Sequence, residues 1–344
     1  MTENGKVLVT GSNGFIGGYV VEELLRQGYS CVGLDNFSKY GEVKKSFESH
    51  PNFSQVVADA ADEEQVYDAL SGCNHLIAGA AMIGGISYFH TYAYDLLATN
   101  EKIMASTTTA AIKRYKEGTL KKVTYLSSSM VFESAEKWPS VEGDELRTPP
   151  PISSYGFQKL AVEYFARAAY SQYGLPYTIL RPFNCVGIGE SRAITDEKIM
   201  SGNVALAMSH VVPDLVQKVL KGQDPLRILG SGDQIRHYTY GGDLARGIVG
   251  SLDNPNATNE DFNLSTGVGH TVLEVAEKIW KKIHGNSKPF RFESDVPFDH
   301  DVQKRVPSVE KARELLDLES RTTLDESLDE IIPWIRNALA HDLI

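Results

Sequence analysis

One stretch near the start of the chain limits its fold more than any other. Gly11-Ser12-Asn13-Gly14-Phe15-Ile16-Gly17 lies between a short β-rich run, Lys6 to Thr10, and a helical stretch, Tyr19 to Gln27, closed by Gly28. A second apolar run, Cys31-Val32-Gly33-Leu34, follows and ends in Asp35-Asn36. Strand, glycine turn, helix, strand and acidic residue in this order describe a βαβ unit shaped to hold a dinucleotide. Gly11 permits the tight turn, Gly14 lets backbone approach a pyrophosphate, and Gly17 lets helix and strand pack closely. The phosphates are expected at the helix N-terminus, where free N–H groups and the dipole favour anions. Asp35 accepts hydrogen bonds from a ribose diol and repels a 2′-phosphate, which favours NAD over NADP.

The alternation continues beyond this unit. Phe53 to Ala58, His75 to Ala81, Lys122 to Leu126 and Tyr177 to Leu180 read as strands. Asp62 to Leu70, Tyr94 to Tyr115 and the Ala-rich run from Ser154 to Tyr173 read as helices. Such alternation implies an α/β fold, a Rossmann-type doubly wound parallel sheet whose ligands bind beyond the carboxyl ends of the strands. From Asn184 the rhythm breaks up. Gly187 to Asn203 reads as a loop and His210 to Leu220 as a helix. Arg227 to Tyr240 reads as two short strands around a Gly-Ser-Gly-Asp turn. Helices follow at Thr271 to Ile283, with capping-box spacing between Thr271 and Glu274, at Ser308 to Leu316, and at Thr323 to Leu339. Pro333 is expected to kink the last helix or start a new turn. We therefore expect an NAD-binding part over 1–184, with segments around 235–265 returning to it. A smaller, mostly C-terminal α/β substrate lobe is expected over 185–344.

Composition narrows the function classes. The 344 residues carry a net charge of −11, which argues against broad nucleic-acid or anionic-membrane binding. No run approaches the length of a membrane span. The three cysteines, Cys31, Cys73 and Cys185, are odd in number and widely spaced, as expected of reduced thiols in a cytoplasmic protein. The nine histidines form no ligand constellation, so no metal is expected.

The chemistry centres on Tyr155 and Lys159. On one helix they stand four residues apart and project from one face. A phenol ionises near pH ~10, and a fixed ammonium one turn away is expected to move it toward a useful pKa. Taken alone, such a pair is common on helices. Together with the glycine turn and with Ser128 at the end of the Lys122–Leu126 strand, it has a cofactor and a partner.

In their order, these motifs resemble the extended short-chain dehydrogenase/reductases, the NAD-dependent nucleotide-sugar epimerase/dehydratase family. The resemblance rests on Thr10-Gly11-x-x-Gly14-x-x-Gly17, Asp35, Asp59, Asn100, Leu126 to Phe132 and Tyr155-x-x-x-Lys159. It continues through Arg181-Pro182-Phe183-Asn184, His210 to Pro213, Gly230-x-Gly232-x-Gln234-x-Arg236 and Arg305. It implies that Ser128 hydrogen-bonds the hydroxyl being oxidised and that Tyr155 is the general base. Lys159 would assist Tyr155 and hold the nicotinamide ribose. The cofactor would be met by Gly11, Asn13, Gly14, Phe15, Ile16, Gly17, Asp35, Asn36, Asp59, Ala60, Ala80, Asn100 and Pro182. The nucleoside-diphosphate sugar would be met by Met82, Gly84, Ser128, Ser129, Met130, Asn184, His210, Val211, Gln234, Arg236 and Arg305. A planar guanidinium binds two oxygens at once, which suits Arg236 and Arg305 to a diphosphate. A homodimer is implied as well, through the helices that start near Tyr94 and Tyr155.

Departures from the family pattern narrow the reaction. The dehydratases carry an Asp-Glu pair where this chain has Ser129 and Met130, and the decarboxylases also use a Glu at the second place. The 3,5-epimerases place a reactive Cys at the Met130 position, although the segments Ala80 to Ile86 and Ser209 to Pro213 resemble that subgroup. Chemistry that needs only Ser, Tyr, Lys and NAD remains, and that is 4-epimerisation; the sequence does not name the base or the hexose, and a UDP-hexose type of substrate is the favoured expectation. The alternatives within the family are 3,5-epimerisation, 4-keto reduction and dehydration. A non-catalytic NAD-sensing regulator is the alternative of another class, but such proteins typically lose the Tyr/Lys pair.

Overall fold

The computed structural model describes residues 4–83, 92–190, 210–296 and 302–341. Seven strands form one sheet: β1 (Asn4–Thr10), β2 (Tyr29–Asp35), β3 (Phe53–Val57), β4 (His75–Ala78), β5 (Lys122–Leu126), β6 (Tyr177–Pro182) and β11 (Glu260–Leu264). Their order is β3-β2-β1-β4-β5-β6-β11, and every pairing is parallel. Leu8 of β1 pairs with Val32 on one side and Leu76 on the other. The chain therefore reverses its sideways progress between β1 and β4, and a crevice opens beyond their carboxyl ends.

The strand period of two places alternate residues on opposite faces. Leu8, Leu76 and Ile179 pack with the helices α2 (Glu63–Ala69), α3 (Ala93–Lys116) and α4 (Ser154–Tyr173). Val7, Val9, Ile77 and Leu180 pack on the other face, with α1 (Phe15–Arg26) and α6 (Gly241–Gly250). Both faces are covered, which explains why the strands read as continuous apolar runs. A third core joins α5 (Val211–Leu220), α7 (Val272–His284) and α9 (Leu324–Ala340) around Val216, Ile279, Trp280, Leu328 and Ile335. The helix α8 (Glu310–Leu316) lies against β11.

Local chemistry sets the ends of α4. The Ser153 hydroxyl accepts from the Gly156 amide at 3.0 Å, and Gly174 ends the helix at φ +72°. A side chain at Gly156 would meet the Pro151 Cβ at 2.6 Å and the Met130 carbonyl at 2.9 Å. Glycine there lets the first turn of α4 sit directly against the segment that follows Ser128. Both α7 and α9 open on capping boxes, Thr271 with Glu274 and Thr323 with Glu326.

One expectation needs correcting. Arg227 to Tyr240 is not a pair of strands around a turn. It holds three strands, β8 (Leu226–Leu229), β9 (Ile235–Arg236) and β10 (Thr239–Tyr240), and none pairs with another. Each pairs at long range instead: β8 with β13 (Phe292–Asp295), β9 with β12 (His270–Thr271) and β10 with β7 (Cys185–Val186). Gly230 and Gly232, both at positive φ, turn the chain away from a hairpin. Pro333 lies inside the last helix. The helix α9 runs unbroken through it, because burial of Leu328, Ile331, Ile332 and Ile335 outweighs one lost hydrogen bond. The expected loop over 187–203 falls largely outside the described residues.

Candidate functional site

A cleft of about 620 Å³ opens at the carboxyl ends of β1 and β4. Its floor is the glycine turn. Gly11 takes φ +75°, and a Cβ on it would approach the Ala80 Cα at 3.0 Å. The Gly14 amide donates to the Gly11 carbonyl at 3.1 Å. At Gly17 a Cβ would stand only 2.0 Å from the Gly11 carbonyl oxygen, so helix and turn can meet only through glycine. The Asp35 carboxylate ends β2 and accepts from the amides of Asn13 at 2.9 Å and Phe37 at 2.8 Å. Those two bonds fix the acid at the rim of the cleft and tie it to the turn.

Of the expected cofactor residues, Gly11, Gly14, Phe15, Ile16, Gly17, Asp35, Asn36, Asp59, Ala60, Ala80, Tyr155, Lys159 and Pro182 line this one cleft. Asn13 and Asn100 stand behind the wall. Asn13 spends its amide on Asp35, and its carboxamide donates to the Val43 carbonyl at 3.4 Å. The Asn100 carboxamide accepts from the Met82 amide at 2.7 Å and donates to the Met82 carbonyl at 2.8 Å. Both hydrogen-bonding ends of that side chain are spent on holding one loop residue, so Asn100 shapes the wall from behind.

Ser128, Ser129, Met130, Met82, Asn184, His210, Val211, Gln234, Arg236 and Arg305 line the other half of the cleft. Gly84 lies outside the described residues. Asn184 takes φ +34°, which an Asn tolerates better than most residues, and donates to the His237 carbonyl at 3.3 Å. Its carbonyl oxygen accepts from the Arg305 guanidinium at 3.4 Å. Arg236 donates to the Ile235 carbonyl at 2.9 Å, to the Gln303 carbonyl at 3.3 Å and to the Val302 carbonyl. Gln234 donates to the Leu229 carbonyl at 3.2 Å. His210 stands at the N-terminus of α5 without capping it, its Nδ1 paired with the buried Glu190 carboxylate. Burial pushes the Glu190 carboxyl up, but His210 and the Lys39 charge outweigh it and hold it below the usual range.

Ser128, Tyr155 and Lys159 sit where the two halves meet. Tyr155 and Lys159 are both about 6% exposed, and the Ser128 hydroxyl is hydrogen-bonded to the Tyr155 phenol. Ser128 also accepts from the Met130 amide at 3.2 Å, which turns the chain around it. Lys159 donates to the Leu126 carbonyl at 3.0 Å, and its Nζ lies 5.8 Å from the Tyr155 ring centre. Burial lowers the Lys159 ammonium to about 8. Burial also raises the Tyr155 phenol, against the opposing pull of the Ser128 hydrogen bond and the Arg305 charge. This corrects a sequence expectation: the polypeptide alone does not lower that phenol. In the protein interior, desolvation of the phenolate exceeds what the neighbouring groups return.

Sequence reasoning assigned no role to several residues that build the site. The Thr10 hydroxyl accepts from the Gly79 and Ala80 amides, both at 3.1 Å, and so joins the ends of β1 and β4 beneath the cleft. Its place directly before the first glycine was the available signal. Ser127 donates to Glu163 at 2.7 Å. Glu163 in turn holds Arg181 through two 2.7 Å bonds, with Glu145 and Asp261 alongside. That ion cluster fastens α4 to β6 just behind the reactive face, and no local pattern announces it. Among the described residues, no group of three or more His, Cys, Asp and Glu side chains gathers to hold a metal ion. No helix there is long and apolar enough to cross a membrane.

Comparison with known proteins agrees with this geometry. Residues 7–265 match the model of the NAD dependent epimerase/dehydratase family. A UDP-glucose 4-epimerase of Bacillus subtilis (strain 168) is 29% identical over 349 residues, covering 95% of this chain and 96% of that one. A UDP-N-acetyl-alpha-D-glucosaminuronate decarboxylase of Bacillus cytotoxicus is 26% identical over 336 residues, covering 96% and 98%. The structure of a UDP-glucose 4-epimerase from Thermotoga maritima with UDP-glucose superimposes at a TM-score of 0.79. It is 27% identical and covers 97% of this chain and 99% of that one. With the parallel sheet, the glycine cradle and the Ser128–Tyr155–Lys159 face already in place, the match settles the family: the chain belongs to the NAD-dependent epimerase/dehydratases, enzymes whose cofactor is NAD.

Proposed function

We propose that the protein interconverts the C4 epimers of a nucleoside-diphosphate sugar, with a UDP-hexose as the favoured substrate type. One observation carries this reading. Ser128 and Tyr155 are hydrogen-bonded at the cleft wall above Lys159, while Ser129 and Met130 occupy the adjacent positions. A thioether and a hydroxyl supply neither the carboxylic acid that water expulsion or decarboxylation would use nor an acidic thiol for inversion at C3 or C5.

The glycine cradle, Asp35, Asp59 and the Lys159 ammonium are the residues that hold NAD. When bound, NAD supplies the hydride acceptor and donor at the sugar carbon. Tyr155, as phenolate, takes the proton of the sugar 4-hydroxyl, and Ser128 orients that oxygen. The 4-keto sugar then turns about its diphosphate, which Arg236 and Arg305 hold with Asn184 beside them. That turn presents the opposite face of C4 to the returning hydride, and Tyr155 gives the proton back to the same oxygen. No net oxidation occurs, so the cofactor stays bound through turnover. His210, held by Glu190, faces the nucleotide side of the cleft.

The organisation proposed from the sequence accompanies this mechanism: an NAD-binding part over 1–184 with segments near 235–265 returning to it, and a substrate lobe over 185–344. A homodimer is proposed through α3 and α4. Its support is a set of exposed aromatic rings: Tyr94 on α3, and Phe157 and Tyr164 seven residues apart on α4. Three free thiols support a reducing, cytoplasmic setting. The decisive experiment incubates the protein with UDP-, GDP-, dTDP- and CDP-sugars and follows products by NMR. A change confined to C4 supports the reading, whereas loss of water or CO2, or inversion at C3 or C5, sinks it.

A further inference from the structure

The segment 302–308 carries Arg305 and is stitched to two different parts of the molecule. Its first half hangs on β9: the Ile235 amide donates to the Gln303 carbonyl at 2.9 Å, and the Arg305 amide to the Ile235 carbonyl at 3.1 Å. Its second half hangs on the loop around Ser140. The Ser140 amide donates to the Val306 carbonyl, and the Ser308 amide to the Ser140 carbonyl, both at 2.8 Å. Arg305 therefore sits at the point where the support passes from one set of bonds to the other.

Behind the second set stands Asn263, on the edge strand β11 and fully buried. Its carboxamide donates to the Ser140 carbonyl at 3.1 Å and to the Ser308 carbonyl at 3.4 Å. Its own amide donates to the Glu142 carboxylate at 2.8 Å. One side chain thus binds both the segment that bears Arg305 and the loop that this segment pairs with. A weaker tie comes from the surface, where the Trp138 indole donates to the Lys304 carbonyl at 3.2 Å.

We propose that Asn263 is a positioning residue for substrate: through Ser140 and Ser308 it fixes the segment that presents Arg305 to the nucleotide diphosphate. This rests on the nucleotide-sugar reading above. Loss of the carboxamide removes one donor from each of the Ser140 and Ser308 carbonyls, leaving Ser140 with the Ser308 amide alone, and lets the Arg305 backbone shift, while the NAD cradle, formed by β1, β2 and β4, is untouched.

The test measures binding to NAD-loaded enzyme by calorimetry, with UDP as probe and GDP, dTDP and CDP alongside. Asn263→Ala should weaken UDP binding about tenfold, the size expected for a lost buried hydrogen-bonded support. NAD content should stay as in the wild type. In an Arg305→Ala background the same change should have almost no further effect, because both act through one contact. An unchanged UDP affinity, or an additive loss in the double variant, overturns the inference. If Asn263→Ala does not fold, Asn263→Ser keeps one donor and must still give a smaller loss that vanishes with Arg305→Ala. Trp138→Phe, at the surface, should weaken UDP binding by a lesser factor. A wild type that binds no nucleoside diphosphate overturns the functional reading and this inference together. A wild type that binds, weakened by Arg305→Ala but not by Asn263→Ala or Asn263→Ser, overturns only the role of Asn263.

Discussion

The Lys159 ammonium donates to the Leu126 carbonyl at 3.0 Å, which ties the helix α4 to the last residue of β5. Ser127 and Ser128 follow that residue at once, so a single bond sets the height of the lysine relative to the serine and the phenol. Burial lowers this ammonium to about 8, which means the native state holds it at a cost.

That cost has a measurable sign. Below about pH 8 the lysine is protonated in both native and unfolded chains, so the penalty is fully present. Between about 8 and 10.5 the unfolded chain binds more proton, and native stability rises with pH across that window. Lys159→Met should therefore stabilise the NAD-free protein at pH 7 by about 1–2 kcal/mol while abolishing turnover. Urea unfolding at pH 7 and 9.5 checks this; a variant less stable than wild type at pH 7 contradicts it.

The Ser128 hydrogen bond opposes the burial that raises Tyr155. Ser128→Ala should lower kcat/KM by about 10²-fold and move the acid limb of the pH–rate profile to higher pH. Tyr155→Phe should leave NAD bound and cost at least about 10³-fold in kcat. An acid limb that stays in place in Ser128→Ala would show that another group sets the ionisation.

Gly17 and Gly14 should respond unequally to alanine. The added Cβ lies 2.0 Å from a carbonyl oxygen at Gly17 but 3.1 Å at Gly14. Gly17→Ala should lose bound NAD and destabilise the fold by about 2–3 kcal/mol, while Gly14→Ala does less. Released-nucleotide absorbance and thermal melting report both quantities. Gly17→Ala protein purified with full NAD content would refute the argument.

His75 is buried and paired with Asp253 at 3.2 Å, and burial depresses its pKa despite that partner. Its contribution to stability is fully present above the unfolded value near ~6.5 and falls away as pH drops toward the native value. His75→Gln should flatten the loss of stability between pH 6.5 and 5, read from urea midpoints. An unchanged slope would rule His75 out as a source of acid sensitivity.

Much of the site could be read directly because its parts are local. The glycine turn, Asp35 and the Tyr155–Lys159 spacing each lie within one βα unit or one helix turn, where backbone geometry follows from a few neighbours. The Asn100 carboxamide is held by Met82 through burial and hydrogen-bond direction, which residue type alone does not announce. The strands β8, β9 and β10 were misread for a related reason. Their partners lie 50 or more residues away for β8 and β10 and over 30 for β9, so no local pattern could name them.

The sequence by itself determined the parallel α/β sheet and the dinucleotide cradle, since these follow from residue periodicity and short spacings, and its motif order pointed to Ser128, Tyr155 and Lys159 as the proposed reactive trio. Only the tertiary structure decided how the trio ionises and how the substrate side is held. Desolvation depends on everything packed around Tyr155 and Lys159, and Arg305 is placed by Asn184, Ile235, Ser140 and Asn263, which the chain brings together from four separate stretches.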